Sequence, residues 1–257
     1  MKNNTVVDLS TLRTGCHTCG LSEICRLSCN TDVVNEEFEK LIKRGRKVER
    51  GEHIFRVSEP FTKIYALRSG SVKTYASIED GKEQVTGFHL PGEFLGLNSI
   101  SSDHHTESAI ALETCSICEL PFDRLENLSN ALPAIQHALL FAMSEEIQYD
   151  HRQLTLVSRM PAEARLASFL LSVSDHFEQR GFSATDFNIS MTRSDIANLL
   201  GLAVETVSRL FSQFQDKGLL AVERRHIVMR DAGGLKKLTA KYPAYSRPGQ
   251  LVHDKVS

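Results

Sequence analysis

Between Leu132 and Ser158 the chain carries no glycine, and Leu140, Met143, Ile147, Asp150, Leu154 and Val157 follow one another at steps of three and four. Such stepping is the seam of a coiled coil, so the segment predicts a long helix whose stripe calls for a partner helix. Pro161 closes it, because proline cannot continue a helix interior and restricts the residue before it. In a paired seam two Asp150 carboxylates approach each other across the twofold axis, which costs energy in a partly dry interface. The plainer alternative is that Asp150 sets register or lies just outside the seam.

On the N-terminal side of this helix, from Lys47 to Phe122, the texture is short and β-prone. His53-Ile54-Phe55-Arg56-Val57, Ile64-Tyr65-Ala66-Leu67 and Ser71-Val72-Lys73-Thr74-Tyr75 read as strands, with glycines at 51, 70, 81, 87, 92 and 96 between and beyond them. Glu79-Asp80-Gly81-Lys82 is a hairpin signal. Regular short strands with turn signals predict an antiparallel barrel or jelly roll. Residues 33–44 (VVNEEFEKLIKR) have helical spacing and predict a short helix leading in.

Beyond Pro161 the pattern is that of a small helical domain. Residues 162–179 place Leu166, Phe169, Leu170, Val173 and Phe177 on one side, and Gly181 ends the helix. Thr192-Arg193-Ser194-Asp195 has capping-box spacing, with Ile196, Ala197, Leu199 and Leu200 as the buried side of a short helix. Gly201 breaks that helix, and a second begins at Val204. Two short helices about a glycine turn make a helix-turn-helix. On the second, Val207, Leu210, Phe211 and Phe214 share one face, and Glu205, Ser208, Arg209 and Ser212 the other. Arginine can pair bidentately with guanine, glutamate accepts from the cytosine amino group, and serine can contact a thymine methyl. The competing reading of that face is an ordinary solvated helix surface. A hairpin, Leu219–Val222 returning as His226–Met229, adds a wing, and the tail from Lys237 reads as loosely ordered.

Composition sets limits. Hydrophobic residues make up 41% and charged residues 24% of 257, and the net charge of −2 averages an acidic front against a more basic back. No apolar run approaches the ~20 residues of a membrane span, and the first residues resemble no signal peptide, so the cytoplasm is the expected compartment. No glycine-rich phosphate loop or convincing nucleophile set suggests an enzyme. Of the six cysteines, Cys16, Cys19, Cys25 and Cys29 crowd into one short stretch, with Cys115 and Cys118 far downstream. In a reducing compartment such a cluster points to metal rather than disulfides. A zinc site built from two Cys-x-x-Cys knuckles, the second being Cys115 and Cys118, is one arrangement. A lone Cys115 is more simply a small buried hydrophobe, and His104 and His105 read as loop residues.

The order of β-roll, long helix and winged helix-turn-helix resembles the cyclic-AMP receptor protein family, and within it the FNR branch of anaerobic regulators. Gln84-Val85-Thr86-Gly87-Phe88-His89-Leu90, Ala111-Leu112-Glu113-Thr114, Met191-Thr192-Arg193, Gly201-Leu202 and Val204-Glu205-Thr206-Val207-Ser208-Arg209 carry the likeness. It implies an α+β fold and a homodimer on double-stranded DNA with TTGAT-like half-sites, read by Glu205, Ser208 and Arg209. Thr192 and Arg193 join that DNA-contact set, and surface loops touch RNA polymerase. It also implies a [4Fe-4S] cluster held by Cys16, Cys19, Cys25 and Cys118, with Cys29 able to substitute for Cys25. Cyclic nucleotide is disfavoured: Leu97 and the pair Glu107-Ser108 stand where nucleotide binders of the family carry a glutamate and an Arg-Ser pair, and a carboxylate there repels phosphate. The expected domains are a cysteine-rich segment (1–32), a sensory roll (33–130), a dimerisation helix (131–160), a winged helix-turn-helix (161–236) and a tail (237–257). The alternative sensor is zinc or a thiol pair.

Overall fold

The structure is a computed structural model that describes residues 43–78, 81–131, 133–179 and 181–242. Cys16, Cys19, Cys25 and Cys29 lie outside them, as does most of the helix expected over 33–44. The last two residues of that stretch, Lys43 and Arg44, belong instead to a strand, β1 (Lys43–Val48), which pairs antiparallel with β8 (Cys115–Pro121). Helical spacing is overridden there because the partner strand, not the local period, supplies the hydrogen bonds.

The described chain divides into two compact units, residues 43–144 and 145–242. In the first, β1, β8, β3 (Lys63–Ser69) and β6 (Phe94–Leu95) form one sheet, in the order β1-β8-β3-β6. The other sheet is β2-β7-β4-β5, from β2 (His53–Phe55), β4 (Val72–Ser77), β5 (Glu83–His89) and β7 (Ser108–Ala111). The predicted hairpin is present, with Ser77 opposite Glu83 and Ile78 N–H bonded to Lys82 O.

Alternation along the strands sorts side chains between two cores. Val48, Phe55, Tyr65, Leu67, Val72, Ala109, Cys115 and Ile117 come from both sheets and fill the space between them. Ile64, Ala66, Phe94, Cys118 and Leu120 form a second cluster with Leu125 of helix α1 (Phe122–Ala131). Leu139 and Ala142 of helix α2 (Pro133–Arg159) pack against it. Gly70, in the left-handed region at φ 85°, turns the chain where any Cβ would fall 2.6 Å from Cys115 Sγ.

In the second unit α3 (Ala162–Gln179) buries Leu166, Phe169, Leu170, Val173 and Phe177, as its periodicity predicts. Phe177 stacks on Phe187 at 5.3 Å between ring centroids. Phe187 lies in β9 (Asp186–Asn188), which adds a third strand to the hairpin of β10 (Leu220–Glu223) and β11 (His226–Met229). The helices of the helix-turn-helix are α4 (Arg193–Leu200) and α5 (Val204–Asp216). The tail expected to be loose from Lys237 begins inside a helix, α6 (Ala232–Thr239), which packs on α3 and buries Leu235 and Thr239. Asp231 caps it by accepting from Gly234 N–H.

Candidate nucleic-acid interface and sensor site

Thr192 and Asp195 form the predicted capping box: Thr192 Oγ1 accepts from Asp195 N–H at 3.1 Å and Asp195 Oδ2 accepts from Thr192 N–H at 3.1 Å. At the other end Gly201, φ 62°, closes α4 in the left-handed conformation, and α5 starts three residues later. Val207, Leu210, Phe211 and Phe214 are buried, each side chain contributing about 1.5–3 kcal/mol by removal from water. That anchoring turns the opposite face outward: Glu205, Ser208, Arg209 and Ser212 are exposed, and Val204 is 39% exposed at the helix start. The arrangement is rigid below and polar above, as a helix entering a major groove needs.

Two expected DNA contacts are engaged in local structure. Besides capping α4, Thr192 donates its hydroxyl to Asp195 Oδ2 at 2.7 Å. The Arg193 guanidinium lies over the Phe211 ring, Cζ 3.4 Å from the centroid, and burial pulls its pKa below the usual value. A desolvated cation on an aromatic face contributes roughly 0.5–2 kcal/mol and ties α4 to α5.

Spacing did not reveal Arg165 of α3. Its Nε donates to Met160 O at 2.8 Å, and its Nη1 to Leu200 O at 3.0 Å and Gly201 O at 3.3 Å. The available signal was a cation in the first turn of a helix, where the macrodipole disfavours it unless it serves another element.

The wing ends in a two-residue tip, since Glu223 pairs with His226. Arg224 and Arg225 are both exposed there, and Arg224 holds a left-handed φ of 57° that costs a side-chain-bearing residue about 1 kcal/mol. His226 Nε2 meets Asp186 Oδ1 at 2.7 Å and joins the wing to β9.

In the roll, the two downstream cysteines part company. Cys115 sits between the sheets, donating to Ser71 O and Glu113 O, and burial next to Glu113 pushes its thiol up to about 12. Cys118, three residues on, points to the opposite face, into the cluster under Leu139 and Ala142. A shared knuckle or a thiol pair between them is therefore excluded by strand geometry. Next to Cys118, Glu119 points inward and joins three strands, accepting from Arg46 Nη1 at 2.9 Å and Lys63 Nζ at 2.8 Å. Burial works to raise its pKa, and the two cations more than reverse that.

Glu107, buried, accepts from Asn98 Nδ2 at 2.8 Å and from the Thr86 hydroxyl. Ser108 Oγ accepts from Val57 N–H, and Leu97 is buried beside the Gly96 turn. His105 is in a loop, as expected, but it is buried and stacked on Phe55 at 3.9 Å, and burial lowers its pKa. Seam positions Leu140, Ile147, Leu154 and Val157 are 59%, 54%, 68% and 40% exposed, Asp150 is exposed, and Met143 is half-buried.

A strand roll ending in a helix, followed by a winged helix-turn-helix with a polar reading face, defines a DNA-binding transcription regulator rather than an enzyme. Residues 45–131 match the cyclic nucleotide-binding domain family, and residues 164–238 the Crp-like helix-turn-helix domain. The chain belongs to the Crp/FNR family of transcription regulators, on its FNR branch. It is 42% identical over 217 residues to the transcriptional activator protein anr of Pseudomonas aeruginosa, covering 84% of this chain and 89% of that one. To the fumarate and nitrate reduction regulatory protein of Escherichia coli it is 40% identical over 223 residues, covering 87% and 89%. The solved structure of FixK2 from Bradyrhizobium japonicum matches at 30% identity and a TM-score of 0.69, over 76% of this chain and 96% of that one. Among the described residues no helix is long and apolar enough to cross a membrane.

Proposed function

We propose that this chain is a cytoplasmic homodimer that binds TTGAT-like inverted repeats when a [4Fe-4S] cluster is intact and controls genes of anaerobic metabolism, working with RNA polymerase. Cys16, Cys19, Cys25 and Cys118 would hold the cluster, with Cys29 as a substitute for Cys25. The observation that carries the reading is the place of Cys118, in an apolar cluster that Leu139 and Ala142 of α2 cover. Anything attached at Cys118 bears on the helix that carries the seam.

The donor set fits. Cys115 faces the other core, so a group held through Cys118 would draw its other thiolates from among Cys16, Cys19, Cys25 and Cys29. Soft thiolates in apolar surroundings suit iron–sulfur ligation. When bound, the cluster supplies oxygen-reactive iron and sulfide. Cys118 would hold it beside the apolar cluster that Leu139 and Ala142 cover, and the exposed seam residues would close the dimer. Asp150 would oppose closure through like-charge repulsion, leaving the dimer poised rather than permanent. Glu205, Ser208 and Arg209 then read each half-site. In the roll the Glu107 carboxylate, held by Asn98 and Thr86, leaves the phosphate of a cyclic nucleotide no favourable partner.

Anaerobic purification tests the sensor. A brown protein with visible absorbance that bleaches in air, and with it loses dimer and DNA binding, is expected, and Asp150→Ala keeps DNA binding in air. A colourless protein with stoichiometric zinc overturns the cluster and favours a zinc sensor built from the N-terminal cysteines.

A further inference from the structure

Arg165 spans two places that a DNA-reading dimer must keep in register. Met160, whose carbonyl takes Nε, ends the long helix: its N–H still bonds to Leu156 O of α2. Leu200 and Gly201, whose carbonyls take Nη1, are the last acceptors of α4, at the turn that launches α5. Those C-terminal carbonyls have no helical donors, and a cation suits the negative end of the dipole. A second contact runs in parallel: a Cβ built on Gly201 would lie 3.2 Å from Val157 Cγ1 and 3.5 Å from Arg165 Nη1. Val157 is a seam residue of α2, so the end of that helix packs on the turn as well.

The guanidinium is planar and its donors keep a fixed geometry. The end of α2 and the start of α5 therefore cannot rotate against each other without breaking charge-assisted hydrogen bonds. We propose that Arg165 is a positioning residue that fixes the angle between the dimer helix and the reading helix, and thereby the half-site spacing the dimer accepts. Arg165 touches no base in this role. The proposal rests on the dimeric, DNA-reading function above and adds which bond carries dimer geometry to the groove.

The test uses the full chain, purified without oxygen, as Arg165→Ala and Arg165→Lys. Binding is measured to a duplex with a single half-site, to the inverted repeat, and to the repeat with one base pair inserted or removed at its centre. Arg165→Ala is expected to lose affinity for the correctly spaced repeat by about tenfold, in the range of ordinary inter-site coupling. It is also expected to bind altered spacings nearly as well as the correct one, with half-site binding unchanged. Arg165→Lys keeps the charge but not the fork, is the safer variant for folding, and is expected to show the same blurred spacing. Equal losses on half-site and repeat, retained spacing preference, or full rescue by lysine would each overturn the proposal. If the unaltered protein does not prefer the repeat to the half-site, the dimeric reading itself falls, and this inference with it.

Discussion

Glu205 is the proposed reader whose replacement has the sharpest signature. It is exposed on the first turn of α5, and nothing in the core depends on it. Glu205→Ala should leave the melting temperature unchanged and relax base preference at one position of each half-site, by roughly 1–3 kcal/mol against the preferred base. Equal weakening on every sequence would remove Glu205 from base reading. His105 makes a prediction about pH. Burial holds its pKa below the ordinary 6.5, so the folded state takes up its proton less readily than the unfolded chain. Its contribution is complete above 6.5 and is lost as pH falls through the lowered folded value. His105→Phe keeps a ring on Phe55 and should lessen the drop in melting temperature between about pH 7 and pH 5. An unchanged pH profile would show that His105 takes up its proton as readily in the folded state as in the unfolded chain.

Among the elements, α2 and the wing carry the clearest consequences. The apolar positions of the seam are open in the single chain, with Ile147 54% exposed. A charge there costs little in the monomer and much in a paired seam. Ile147→Glu should keep the fold by circular dichroism, shift the anaerobic protein to monomer in sedimentation, and abolish binding to the inverted repeat. A dimer that survives places the interface elsewhere. At the wing, Arg224 keeps a strained backbone where glycine would rest freely, and the strain presents two arginines at the tip. Arg224→Gly should therefore raise stability by up to about 1 kcal/mol while reducing the salt dependence of DNA binding by about one unit of slope. Higher stability with an unaltered slope would leave the tip without a phosphate contact.

For the molecule as a whole, legibility followed the range of the interactions. The helix-turn-helix could be read from a capping box, a glycine and one apolar face, because each works within a turn or two of chain. The long helix could be read from its period, and most roll strands from their turn residues. By contrast, β9 is a three-residue stretch, Asp186-Phe187-Asn188, that becomes a strand only because β11 lies beside it. Lys43 continues a helical spacing yet pairs with β8, and Lys237 to Thr239 reads as tail until α3 offers a surface. Residue types and short separations already supplied the polar face proposed to read DNA and the crowd of cysteines, and the resemblance carried by local motifs supplied the family. Only the folded chain could lay Arg193 on Phe211, sink Glu107 beside Asn98, and bring Arg165 to the turn after α4. Each of those depends on strand pairing or helix packing between residues distant along the chain, and no local period encodes such a contact.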